Sequence, residues 1–134
     1  MSVDSSWELQ KAIYGVLTGD SALMAMITGV HDHVPQGTAF PYVTIGEASA
    51  VDWRTVGHDG MELTLVLHVW SRERGRKEAK LVLAEIHRIL NDAKLTVPGH
   101  VLAWLHFGFS QTLQDNDGVT YHGMARYNAI TYEA

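Results

Sequence analysis

"LHVWSRERGRKEAKLVLAEIHRIL", residues 67–90, contains the change of hydrophobic period on which the fold turns. Before it, Met61, Leu63, Leu65, Leu67 and Val69 alternate with Glu62, Thr64, Val66, His68 and Trp70, the period-2 pattern of a half-buried strand with a partly apolar second face. Five of the seven residues after Trp70 are charged. From about Gly75 to Ala93 the apolar positions Ala79, Val82, Leu83, Ile86 and Leu90 fall on one helical stripe. Ser71 or Gly75 is the expected helix start, and Glu73 and Lys77 have the spacing of an i,i+4 pair if the helix begins early.

Working outward, Ser5 and Glu8 have capping-box spacing ahead of apolar Leu9, Ala12, Ile13, Val16 and Leu17. Asp20 or Ser21 caps a second short piece, "ALMAMIT", that Gly29 ends. "VHDHVPQGTAFP" keeps neither period and reads as a surface loop. "YVTIGEAS" reads as a strand, and "AVDWRTVGHDG" as a connection with its turn at Asp59-Gly60. Beyond "LTVPGH", Val101, Ala103, Leu105, Phe107 and Phe109 form an apolar face, and Tyr121, Ala125, Tyr127 and Ala129 lie along a last strand. Asn116-Asp117-Gly118 is hairpin punctuation between them. The order α-α-β-β-α-β-β predicts a two-layer α+β domain over residues 1–134: an antiparallel sheet of about four strands, helices on one face.

A chain of 134 residues with 46% hydrophobic and 19% charged residues supports a single folded core. A net charge of −5 argues against a protein that coats nucleic acid. With no cysteine there is no disulfide, thiolate nucleophile or cysteine zinc site. "MSVDSSWELQ" lacks the apolar core of a signal peptide, and no run approaches the roughly eighteen apolar residues of a membrane span. A reducing cytoplasm is the expected setting.

The chemistry-bearing clusters are few. His31 and His33 of "HDH" would share one side of an extended segment with Asp32 opposite, so a metal would need a further ligand such as His58 or His122. A polar loop is the plainer reading, and neither a nucleophile elbow nor a metal-binding helix pair accompanies it. No enzyme, metal or cofactor is expected. The corner with Arg72, Arg74, Arg76 and Lys77 sits at a helix start, where anions are favoured, but Glu73 and Glu78 offset its charge and Gly75 has no glycine-rich cradle around it. A subunit contact is the reading adopted. Trp7 and Trp104 fit a helix or sheet core. Trp70 shares the strand's second face with Val66, and Trp53 sits in a loop, where an exposed aromatic beside arginine suits an interface.

"FPYVTIGE" (40–47), "DWRT" (52–55), "ELTLVLHVWSRERGRKEAK" (62–80) and "DGVTYHGMARYNA" (117–129) resemble the tail-completion, or tail-terminator, proteins of long-tailed bacteriophages, prophages and gene transfer agents. The resemblance runs from the first helix to the last strand and implies a structural virion protein. It implies a hexameric ring at the head-proximal end of the tail that stops tube polymerisation and contacts the major tail tube protein and the head-side connector. DNA would pass through its lumen without specific binding, and no membrane is involved. The resemblance brings no catalytic residues. Expected at subunit or partner contacts, on chemical grounds, are Asp52, Trp53, Arg54, Trp70, Arg72, Arg74, Arg76, Asp115, Asp117 and Arg126, with the "DNDG" tip and "VGHDG" loop as acidic partners for a neighbour's arginines. The alternatives are another head–tail joining or neck protein of similar fold, or a small histidine-dependent metal-binding domain.

Overall fold

The computed structural model describes residues 4–134, apart from the side chains of Thr55 and His58. Its elements are α1 (Ser6–Thr18), α2 (Ser21–Met24), β1 (Val30–His31), β2 (Tyr42–Thr55), β3 (His58–Ser71), α3 (Lys77–Leu90), β4 (His100–Gln114) and β5 (Tyr121–Glu133). The sheet order is β1-β2-β3-β5-β4. All neighbouring pairs are antiparallel except β1 with β2. The sheet is therefore mixed and five-stranded, where four antiparallel strands are expected from sequence. Two residues are too few to show a period, and Val30 and His31 pair with Val43 and Thr44 because the chain leaving α2 runs alongside β2.

The alternation in β3 sets the layers. Leu63, Leu65, Leu67 and Val69 are buried against Ile13 and Leu17 of α1 and Val82, Ile86 and Leu90 of α3, with Ala125, Tyr127 and Ala129 of β5 beside them. Burying a leucine such as Leu67 fully contributes about 1.5–3 kcal/mol. α3 packs across β3, β5 and β4, and α1 packs on β2 and α3. Val66 and Ile130, on the opposite face of the sheet, are buried outside this cluster. Helices thus cover one face, as expected, and among the described residues none covers the other.

Local signals resolve differently in several places. Asp20 caps α2 through the Leu23 N–H at 2.9 Å, but the helix stops at Met24. Ser5 makes no side-chain cap; its buried hydroxyl meets that of Thr131 at 2.5 Å, and Glu8 pairs with Lys11 at 3.0 Å. α3 begins at Lys77, so Glu73 lies outside it and the Glu73–Lys77 pair does not form. Ser71 instead accepts from the Glu73 N–H at 3.2 Å and donates to Glu78 at 2.7 Å. Trp7 is 57% exposed on α1, not a core residue. Trp104 is half-buried on the helix-free face, stacked on His106 at 4.6 Å.

The stretch read as a connection is strand. β2 continues through Trp53 to Thr55, and the hairpin turns at Val56-Gly57, where Gly57 has φ +84°. Gly60 is a strand residue instead: a Cβ there would lie 2.7 Å from the Thr131 carbonyl oxygen and 2.8 Å from that of Trp53. The expected apolar face of β4 is split by register shifts between Leu102 and Trp104 and between Phe107 and Phe109. Leu105 and Phe107 pair with core-facing Ala129 and Tyr127, whereas Val101 and Phe109 pair with Tyr132 and Arg126 on the other side. Each bulge inserts a residue and reverses the parity of everything beyond it.

Gly60→Ala is expected to destabilise the fold by roughly 1–3 kcal/mol, because backbone oxygens on both sides must move to admit the methyl. Chemical denaturation of the purified variant measures it; an unchanged midpoint would contradict this packing.

Candidate interaction surface

The sequence-selected residues fall at the two ends of the sheet, with Arg126 between them. Strands of 14 residues separate the ends by roughly 45 Å. At one end, Arg54 bridges two carboxylates, Asp52 at 3.0 Å and Asp59 at 3.3 Å, beside exposed Trp53. One guanidinium between two acids leaves this hairpin locally negative.

At the other end the basic corner and the "DNDG" turn lie side by side in the same chain. Arg72 donates from Nε to the Thr120 hydroxyl at 3.1 Å and rests 4.4 Å from the centre of the Phe40 ring. Thr120 in turn donates to Asp117 at 2.7 Å. Backbone N–H bonds from Thr120 and Val119, reinforced by the Thr120 hydroxyl, hold the Asp117 carboxyl down to about 2. Arg76 lies 5.6 Å from the Tyr121 ring. Arg72 and the turn are thus tied to each other within one subunit, leaving Arg74 and Arg76 outward. Neither has an ion-pair partner among the described residues. Asp115 is half-buried in the same turn.

Between the two ends, the helix-free face carries a cluster that sequence reasoning did not assemble. His68 lies 2.8 Å from the Glu47 carboxylate through Nε2 and 2.6 Å from His122 through Nδ1. Trp70 stacks on His122 at 4.0 Å with an interplanar angle of 5°, and its indole N–H donates to Thr44 at 3.1 Å. These groups line a shallow groove of about 550 Å³. Further along the same face Arg126 lies over Phe109 at 5.4 Å. Glu47, His68 and His122 come from three strands, and only the order β2-β3-β5 brings them together. Their arrangement is linear, and among the described residues no three His, Asp or Glu side chains converge on a metal position. His31 packs edge-on to Tyr42, and Asp32 and His33 are exposed. The side chain of His58, the suggested further ligand, lies outside the described residues.

The hydrogen bond between the two imidazoles needs one N–H facing one bare nitrogen. Burial, then the neighbouring His68, holds His122 below the usual histidine value.

The model of the family described as tail completion protein gp17 matches residues 11–132. This chain belongs to that family. It is 30% identical over 122 residues to the tail completion protein gp17 of Bacillus phage SPP1, covering 91% of this chain and 90% of that one. Among solved structures it is similar to a chain in the virion of a native gene transfer agent particle, with a TM-score of 0.89 at 25% identity over 98% of this chain and 99% of that one. The structure of the bacteriophage SPP1 gp17 protein gives a TM-score of 0.63 at 27% identity, over 93% and 89% of the two chains. Tail completion proteins of this family are structural virion components, not enzymes.

A histidine whose pKa is depressed on folding stays neutral while the unfolded chain takes up a proton. Stability from His122 is therefore complete above the ordinary histidine pKa and is lost as pH falls through and below it. Melting temperatures measured from about pH 7.5 down to 5.5 should fall for the wild type and fall less for His122→Gln. Parallel slopes would remove His122 from the linkage.

Proposed function

We propose that this protein is a tail terminator. Its subunits form a hexameric ring at the head-proximal end of the tail tube, stop further addition of tube protein, and present the surface that the head-side connector engages. The observation that carries the reading is family membership combined with a fold whose main apolar cluster and whose described helices lie on one face of the sheet. What remains outside that core is large and chemically varied, and among the described residues it holds no cluster of three His, Asp or Glu that could bind a metal ion.

The charge distribution supports the same reading. Five of the chain's ten cations lie in residues 72–80, within a molecule of net charge −5. A cationic corner on an acidic body suits oriented, register-setting contact with a neighbouring subunit or tail protein. The acidic remainder suits a conduit wall that DNA passes without being gripped. Because the "DNDG" turn is already engaged by Arg72 in the same chain, the β2–β3 hairpin is the better acidic partner for a neighbour's Arg74 and Arg76.

Deleting the gene in the producing cell and imaging the particles by negative-stain electron microscopy tests the function. Unattached filled heads beside tails of uncontrolled length are the expected outcome. Tails of normal length with heads failing to join would instead assign a neck or joining role, and normal particles would remove the protein from the tail end.

Arg74→Glu with Arg76→Glu should leave the melting temperature of the isolated protein within about 2 °C of wild type, since both side chains are exposed. The same variant should fail to complement the deletion. Full complementation would free the corner of any role in assembly.

A further inference from the structure

Two strand segments of this sheet have neither face covered. Every residue of β2 from 47 to 54 is exposed, and so is every residue of β4 from 106 to 114 except the half-buried Thr112. They lie on opposite edges and towards opposite ends of the sheet. Part of the β4 edge is occupied: the Asp92 N–H donates to the Leu105 carbonyl, and Asn91 Oδ1 accepts from the Phe107 N–H. Leu105 and Phe107 thus turn their backbone groups outward. The bulge after Phe107 reverses the alternation, so Ser110, Thr112 and Gln114 turn outward beyond it. On β2 the Val43 N–H donates outward to Gly29, and the bulge between Ile45 and Ala48 leaves Ala48, Ala50, Asp52 and Arg54 outward in the same way. Among the described residues no hydrogen bond engages these outward groups from 48 to 54 or from 110 to 114. Such groups template another strand.

Beside the free part of β4 runs a groove of about 610 Å³, with Arg76, Lys80 and His87 along α3 and Ser110 and Thr112 along the strand. Neither Arg76 nor Lys80 has an ion pair among the described residues. The β2 segment carries the complement. Asp52 lies on the helix side of the sheet, in the row of Met61 and Thr131, and the Asp52–Arg54–Asp59 group has one acid in excess. An antiparallel β2 whose Asp52 stands opposite Thr112 brings that carboxylate to the side of the groove held by Arg76 and Lys80. On the helix-free face the same register sets Val51, 55% exposed, opposite Leu113, 46% exposed. It also sets Trp53 opposite Gln111, diagonal to exposed Phe109 and Leu113. The hairpin turn at Val56-Gly57 then abuts the Asn91–Asp92 segment, and a slide of two residues further along β4 would drive the turn into it. Charge, apolar surface and this stop agree on one register.

We propose that residues 50–54 of β2 in one copy add antiparallel to residues 110–114 of β4 in the next, Asp52 opposite Thr112, filling the groove beside α3. The two surfaces differ, so the contact is heterologous and propagates around a ring. Within one copy the row of Asp52 ends at Leu102, and along β5 that row lies eight residues from the row of Thr112, Thr131 against Gly123. Each copy therefore steps along the strands by roughly 26 Å. Closed sheets absorb such a shear by tilting their strands against the ring axis. The occupant is a second copy of this chain, because the unpaired arm, the excess acid and the apolar partner for Leu113 all belong to it. This rests on the ring reading above and names the surface through which the ring closes.

The chain has no cysteine, so two introduced thiols are the only ones present. Particles assembled with Val51→Cys and Leu113→Cys are oxidised intact and run on a non-reducing gel. Trp53→Cys with Gln111→Cys is a second pair, and Val51→Cys with Val101→Cys is the control, because Val101 lies on the same face at the far end of β4. All five side chains are exposed, and single variants establish that each substitution permits folding and assembly. Loss of the monomer band to a ladder of oligomers in at least one of the two opposed pairs, and not in the control, is the expected result. Oligomers from the control, or cross-links only to a different tail protein, would overturn the edge pairing. Glutaraldehyde on wild-type particles reads the ring independently. Oligomers there with monomer from both thiol pairs would overturn the edge pairing alone, whereas monomer throughout would overturn the ring reading with it.

Discussion

One layer of interlocked side chains carries this structure: the inward row of β3 from Leu63 to Val69, the inward row of β5 from Ala125 to Ala129, and the apolar stripes of α1 and α3 that close over them. Because this main cluster lies on one side of the sheet, the helices lie on the same face, and the opposite face is left with the separately buried Val66 and Ile130 and a mixture of aromatic and polar groups. Nothing in that second face is needed to hold the helices. It is free to be shaped by contact with other molecules, which is what a structural virion component requires of its surface.

The part of the fold that was legible came from contrast between periods. Met61–Val69 against Glu62–Trp70, followed by the helical stripe from Ala79 to Leu90, marked strand and helix, and the same logic set Tyr121, Ala125, Tyr127 and Ala129 along a last strand, of which the latter three are buried in the core. Bulges defeated it in β4. An inserted residue has no signature in hydrophobicity; Gly108, whose Cβ would meet the Asn128 amide at 2.7 Å, hints at close approach only once the neighbour is known. Asp59-Gly60 looked like a turn because the dipeptide favours one, yet Gly60 is glycine because two backbone oxygens crowd it. The Ser5–Glu8 spacing failed as a cap because Thr131, distant in sequence, offered Ser5 a buried partner.

The candidate surface was legible one residue at a time and not as groups. Trp53, Arg54, Arg72 and Asp117 stand out by composition and punctuation, but whether an arginine faces a neighbour or its own chain depends on packing. Arg72 is held by Thr120 and Phe40, while Arg74 remains outward. Glu47, His68 and His122 could not have been joined from spacing, because strand order is a tertiary property. His122 is held below the usual histidine value by burial and by the neighbouring His68, whereas the backbone N–H groups of the turn hold Asp117 down to about 2.

The strand order has a consequence for synthesis. β5 is made after β3 and β4, yet it lies inside the sheet, between them. While residues 121–133 are still in the ribosome, β3 and β4 have no edge to share, and Tyr127 and Ala129 are missing from the core they complete. The Ser5–Thr131 contact joins positions 126 residues apart and can form only after that insertion. Until β5 slots between them, the nascent chain holds a β1-β2-β3 sheet and an unpaired β4, and their joining is a non-local closure of the kind that slows folding. Pairing between nascent chains on neighbouring ribosomes is the hazard this order creates, and prompt arrival of β5 is what removes it.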